Sequence, residues 1–170
     1  MQRDIEKKLI SWKAQKNRYP LLIRGARQVG KSYLVETFAK EHFQNTITVN
    51  FEFQPQLKEC FTSLDPVAII NKLQLILGVP IKEETTLLFL DEIQDCPQAI
   101  LSLRYFKEKM AQLAVIGAGS LLEFALQGQA FKMTVGRIHF LYLEPLSFAE
   151  FLDVSGNVQL RQYLSTVKLT

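Results

Sequence analysis

The sequence is poor in cysteine, histidine, glycine and proline. Only Cys60 and Cys96 stand among its 170 residues. They are too few and too far apart for a disulfide framework, so a reduced, cytoplasmic setting is expected. The two histidines, His42 and His139, have no nearby cysteine or second histidine, which removes a zinc-ligand spacing. Eight glycines, six prolines and 48% hydrophobic residues exclude a disordered or low-complexity chain. No apolar run approaches the length of a membrane span and no secretory leader opens the chain, so no membrane partner is expected. Neither sign of charge dominates. Twenty Lys and Arg against seventeen Asp and Glu leave a net +3, too mild to mark a nucleic-acid binder, and none is expected as a partner. No internal repeat is present, and the length suits one domain with a real core.

What is present is concentrated in two segments. Gly25-Ala26-Arg27-Gln28-Val29-Gly30-Lys31-Ser32 fits G-x-x-x-x-G-K-[ST]. The apolar run Leu21-Leu22-Ile23 precedes it, and Tyr33 to Ala39 follows with Leu34, Val35 and Phe38 on one helical face. Strand, glycine-rich turn and helix form the context of a phosphate-binding P-loop. Gly25 and Gly30 allow backbone angles that a side chain forbids. Successive N–H groups, from Gly25 through Tyr33, then make an anion nest at a positive helix end. Lys31 supplies a mobile charge for the β- and γ-phosphates. Ser32 offers a hydroxyl to Mg2+, a hard cation that prefers oxygen. Arg27 and Gln28 shape the loop and are candidates for phosphate contact.

The second segment is Thr86-Leu87-Leu88-Phe89-Leu90-Asp91-Glu92. Four consecutive apolar residues suit a central parallel strand, and two carboxylates end it. Ligands of parallel α/β sheets sit at the carboxyl ends of strands, so these acids should face the phosphates. Asp91 is then a candidate for the Mg2+ shell, and Glu92 for activating the attacking water. Guanine-specific enzymes read their base with Asn-Lys-x-Asp. The only Asn-Lys here, Asn71-Lys72-Leu73-Gln74, lacks the aspartate and precedes the acidic strand.

Periodicity and punctuation predict helices over Asp4 to Lys16, Asp65-Pro66 to Gly78, Ala99 to Met110, Leu121 to Leu126 and Val158 to Val167. A short helix is expected around Leu57 to Phe61. Strands are predicted at Tyr19 to Arg24, Thr46 to Glu52, Leu87 to Leu90 and Leu113 to Gly117. Met133–Val135 and Ile138–Leu143 are expected as strands or as a hairpin about Gly136-Arg137. Ser147-Phe148-Ala149-Glu150 reads as a capping box. The expected fold class is α/β, a three-layer P-loop NTPase fold around a mainly parallel sheet of about five strands. A whole strand–helix block (46–78) separates the P-loop unit from the acidic strand. That spacing suits an additional strand between the two, the arrangement of P-loop ATPases that use a catalytic glutamate.

Five motifs in order then carry a resemblance: Leu22 to Ser32, Phe89 to Gln94, Gly117-Ala118-Gly119-Ser120-Leu121-Leu122, Val135-Gly136-Arg137-Ile138, and Leu143 to Phe151. Together they resemble the prokaryotic AAA-superfamily ATPases of the "ATP-binding protein" type. In that family a nuclease-like C-terminal domain of unknown function normally follows the ATPase. The resemblance implies ATP and Mg2+ as ligands, Asp91 and Glu92 as the Walker-B pair, and Ser120 at the polar sensor position. It implies Arg137 in a Gly-Arg motif whose charge reaches a γ-phosphate in its own or a neighbouring subunit. The catalytic candidates are thus Glu92, Lys31, Ser120 and Arg137. The implied function is Mg2+-dependent hydrolysis of the β–γ phosphoanhydride, slow in isolation; the alternative is a non-hydrolysing, ATP-gated switch. Implied partners, besides ATP, are a homo-oligomeric neighbour or a missing C-terminal domain. Two departures stand out: Ala118 occupies a position usually Thr or Ser, and the sequence ends at Thr170, ahead of the family's helical lid. Residues 1–146 are expected to form the ATPase core and 147–170 the start of a helical extension, in either a fragment or a truncated relative.

Overall fold

In a computed structural model, residues 3–120, 122 and 135–166 are described. The elements alternate: α1 (Glu6–Ala14), β1 (Leu21–Arg24), α2 (Lys31–His42), β2 (Asn45–Asn50), a 3-10 segment (Pro55–Phe61) and α3 (Pro66–Leu77). They continue with β3 (Thr86–Asp91), a 3-10 turn (Ile93–Asp95), α4 (Pro97–Lys109), β4 (Ala114–Gly119), a 3-10 turn (Val135–Arg137), β5 (His139–Tyr142), α5 (Phe148–Val154) and α6 (Val158–Thr166). The strands form one parallel sheet in the order β2-β3-β4-β1-β5. β4 therefore lies between the P-loop strand and the acidic strand, as the spacing predicted. This is the three-layer α/β architecture expected from the sequence.

The period of two along each strand divides the core in two. Leu22, Val49, Leu88, Leu90 and Val115 face one side, against Ile69 and Leu73 of α3 and Ile100, Leu103 and Phe106 of α4. Leu21, Ile23, Leu87, Phe89 and Ile116 face the other, against Leu9 and Trp12 of α1 and Leu34, Val35 and Phe38 of α2. β3 and β4 are buried throughout, so their continuous apolar runs need no polar face. Trp12 packs in this second layer, and its indole N–H donates to the Tyr19 carbonyl at 2.7 Å.

The element ends follow local signals at several places. Asp65 takes the N-cap conformation with Pro66 in the first turn of α3, though its carboxylate pairs with Lys109 at 2.9 Å instead of capping. Ser147 and Glu150 form a complete capping box on α5. β2 stops at Asn50, and Phe51 to Phe53 turn away, so Glu52 is not in the strand. At Gly136-Arg137 the backbone departs from the strand expected at Val135. Val135–Arg137 is a 3-10 turn, and among the described residues β5 pairs only with β1, in parallel. The predicted helix over Leu121 to Leu126 lies outside the described residues except for Leu122, and the predicted strand residues Met133 and Thr134 and the helix end at Val167 also lie outside them.

Candidate functional site

All five strands are parallel, so their carboxyl ends share one edge of the sheet. The glycine-rich loop leaves β1 there. Gly30 has φ +90°, an angle that L side chains rarely adopt, and caps the helix that begins at Lys31. Gln28 also has positive φ, 61°, which marks a loop held in a costly shape by its surroundings. Gly25 is buried against Leu143: a Cβ there would run into the Leu143 carbonyl. The loop is thus wedged between its own helix and the segment after β5.

Lys31 is buried, and its ammonium donates to the carbonyls of Gly25 at 3.0 Å and Ala26 at 2.7 Å. Burial pushes its pKa below the ordinary lysine value, while Glu92 and Asp91 pull it back up. Ser32 Oγ donates to Asp91 Oδ2 at 2.8 Å, and Asn50 Nδ2 donates to the same oxygen at 3.1 Å. The P-loop and the acidic strand, 59 residues apart in sequence, are therefore in direct contact. A cleft of about 460 Å³ opens here, lined by Lys31, Ser32 and Tyr33 on the loop side and by Glu52 and Glu92. Arg27, Gln28 and Gly30 complete the lining; Ala26, Arg27 and Gln28 are exposed and Val29 half-buried.

Glu92 has φ +48°, an uncommon angle for a side-chain-bearing residue that costs on the order of 1–3 kcal/mol. The kink lets Ile93 bury fully in the core while the preceding carboxylate reaches the cleft. Asp91 Oδ1 accepts from the Glu92 N–H at 3.1 Å, and the following 3-10 turn returns Asp95 N–H to the Glu92 carbonyl at 3.0 Å. Gln94 Nε2 donates to Glu92 Oε2 at 2.6 Å.

Ser120 follows β4 at the same edge of the sheet. Its Oγ is buried and has no hydrogen-bond partner among the described residues. Arg137 is not brought to this edge. β5 begins at His139 beside Leu21, the first residue of β1, whereas the loop leaves β1 after its last residue. At about 3.3 Å per residue, the strand separates the two by roughly 13 Å. The Arg137 guanidinium instead pairs with Glu108 of α4.

Asn50 and Glu52 belong to the site and were missed in the sequence. The signal was the end of β2: in an all-parallel sheet its last residues reach the same edge as the loop. A further group braces the loop from behind. Arg3 donates to Glu150 Oε1 at 2.9 Å and to the Glu144 carbonyl at 2.8 Å, and reaches the Val29 carbonyl at 3.4 Å. Burial works to raise the Glu150 pKa, but the N–H groups of Ser147 and Asp4 and the Arg3 guanidinium hold it down to about 2.

The donor set fits a phosphate-bound Mg2+. A hydroxyl and a carboxylate are hard oxygen ligands, and Ser32 Oγ and Asp91 Oδ2 converge on one point. Among the described residues no group of three or more His, Cys, Asp or Glu could hold a metal by itself. Mg2+ is commonly held by one or two carboxylates together with substrate phosphates, and that is what these residues offer.

Residues 17–152 match the family described as the AAA domain. The chain belongs to that family. Two solved structures share the fold of this AAA domain. The Walker-type ATPase PABY2304 of Pyrococcus abyssi aligns with 98% of the chain at 19% identity and a TM-score of 0.55. The Aeropyrum pernix ORC1 protein, solved in complex with DNA, aligns with 96% at 15% identity and a TM-score of 0.56. The chain spans 60% and 50% of the lengths of those two proteins. No curated protein matches in sequence. The P-loop ATPase core expected from the motifs is therefore shown at the level of family and fold.

Proposed function

We propose that this AAA domain binds ATP with Mg2+ in the cleft over the P-loop and hydrolyses the β–γ phosphoanhydride. The observation that carries this reading is the Ser32–Asp91 hydrogen bond, which joins the phosphate loop to the acidic doublet. The loop N–H groups from Gly25 to Tyr33 and the Lys31 ammonium hold the phosphates. Ser32 and Asp91 hold Mg2+, which when bound supplies positive charge that neutralises the β- and γ-phosphate oxygens. Glu92 accepts the proton of the attacking water as the new P–O bond forms and ADP leaves. Ser120 contributes its unpartnered hydroxyl to the γ-phosphate side of the cleft.

Glu92→Gln tests the assignment. The variant should bind ATP as the parent does in equilibrium dialysis and lose hydrolysis in single-turnover assays. Hydrolysis at the parent rate removes Glu92 from the chemistry.

One observation favours a second reading, a non-hydrolysing ATP-gated switch. Arg137, the family's Gly-Arg residue, is engaged with Glu108 at the far edge of the sheet. An arginine contact contributes about 10³–10⁵ to the rate of related phosphoryl transfers. Without a neighbouring copy to supply it, turnover would be slow. Tight ATP binding with negligible single turnover, together with a change of conformation or assembly on binding, would select this reading.

A further inference from the structure

Glu92 stands on a strained backbone and carries a flexible side chain, so something has to aim it. The only side-chain hydrogen bond to its carboxylate among the described residues comes from Gln94 Nε2, at 2.6 Å. The orientation of the Gln94 amide is forced. An ionised carboxylate only accepts, so the NH2 must face Glu92 and the oxygen must face away. That oxygen, Oε1, is buried and has no partner among the described residues. It lies against the α-carbon of Gly119, the last residue of β4: a Cβ on Gly119 would overlap it. A buried polar atom without a partner is costly, and native structures carry few of them. A glutamine placed only for packing would have been better replaced by leucine. Here the cost is offset by one short, charge-assisted hydrogen bond to the proposed base.

We propose that Gln94 is a positioning residue for Glu92, and that Gly119 supplies the space in which its carboxamide fits. Resting on the function proposed above, this adds to it a residue acting through the base and not on the nucleotide. Gln94 fixes Glu92 Oε2 and leaves Oε1 free to accept a proton from water. β4 sets the aim, because the backbone of Gly119 limits where the carboxamide can lie.

Three variants test it. Gln94→Leu keeps size and removes the donor. Gly119→Ala keeps the donor and displaces it; the obstructed atom is the end of a flexible side chain, so the fold should survive. Each should lower kcat by roughly 10- to 100-fold, the range of a lost hydrogen bond to a charged group, and leave the Kd for ATP within about twofold. On a Glu92→Ala background Gln94→Leu should cost nothing further, whereas a merely structural role would lower both backgrounds alike. A readout without nucleotide completes the test. Three-bond NMR couplings should report one χ1 rotamer for Glu92 in the parent and averaged values in Gln94→Leu and Gly119→Ala. If Glu92 keeps one rotamer in both variants, the inference falls, whatever the hydrolysis rate. If Glu92→Gln abolishes hydrolysis while Gln94→Leu hydrolyses normally, the inference falls and the proposed function stands. If Glu92→Gln hydrolyses normally, Glu92 is removed from the chemistry while hydrolysis stands, and the coupling measurement alone decides whether Gln94 orders this side chain.

Discussion

Replacing Glu150 with glutamine should destabilise the whole domain, although the residue lies outside the cleft. Glu150 is only 6% exposed. Its carboxylate accepts from the backbone N–H groups of Ser147 at 2.9 Å and Asp4 at 3.0 Å and from Arg3 Nε at 2.9 Å. Burial opposes the charge, yet these donors together lower the pKa from 4.5 to about 2. At about 1.4 kcal/mol per pKa unit, the gap corresponds to roughly 3 kcal/mol of stability at neutral pH. The loss of Arg3's charged partner is part of this figure, since the guanidinium is one of the groups that lower the pKa. For a domain of this size the melting temperature should fall by roughly 6–12 °C. The sign of the pH dependence follows from the depressed pKa. The contribution is complete above about pH 4.5, shrinks as pH falls towards 2, and is absent below that. Urea unfolding of parent and variant at pH 7 and pH 3 measures it. The difference between them should drop to less than half at pH 3. A loss under about 1 kcal/mol at pH 7, or an equal difference at both pH values, would refute the reasoning.

Two further outcomes follow from the site and the charge balance. Mg-ATP at about 100 times its Kd adds about 2.7 kcal/mol and should raise the melting temperature by roughly 5–10 °C; Lys31→Ala should erase that shift in a thermal scan. The chain should show no salt-sensitive affinity for DNA in a filter assay, despite its structural likeness to a protein solved with DNA; a steep salt dependence would falsify this.

The cleft and the Arg3–Glu150 brace also differ in kind. The cleft joins groups that a nucleotide would separate: Lys31 from the loop carbonyls and Ser32 from Asp91. The brace joins the segment before α1, the P-loop carbonyl of Val29 and the start of α5 through one guanidinium. Polar groups that are both buried and mutually satisfied hold a structure in one arrangement. The loop is thereby supported on its outer side and open to ligand on its inner side.

The sequence by itself determined the loop, the acidic doublet and the parallel sheet, because each is set by local chemistry: glycine where φ is positive, a continuous apolar run where both faces are covered, Pro66 in the first turn of a helix. The strand–helix block between the P-loop unit and the acidic strand suited an additional strand between β1 and β3, but only the structure shows that β4 fills that place while β2 takes the edge. Only the tertiary structure decided which ends meet. Asn50 and Glu52 join the site because β2 ends at the loop's edge, and Arg137 does not because β5 begins at the other. Gln94 closes the Phe89 to Gln94 motif in the sequence without a role attached to it; its bond to Glu92 and its fit over Gly119 arise from a kink and a close approach between chain segments 25 residues apart. Contacts of that kind depend on packing across the sheet, and no local pattern encodes them.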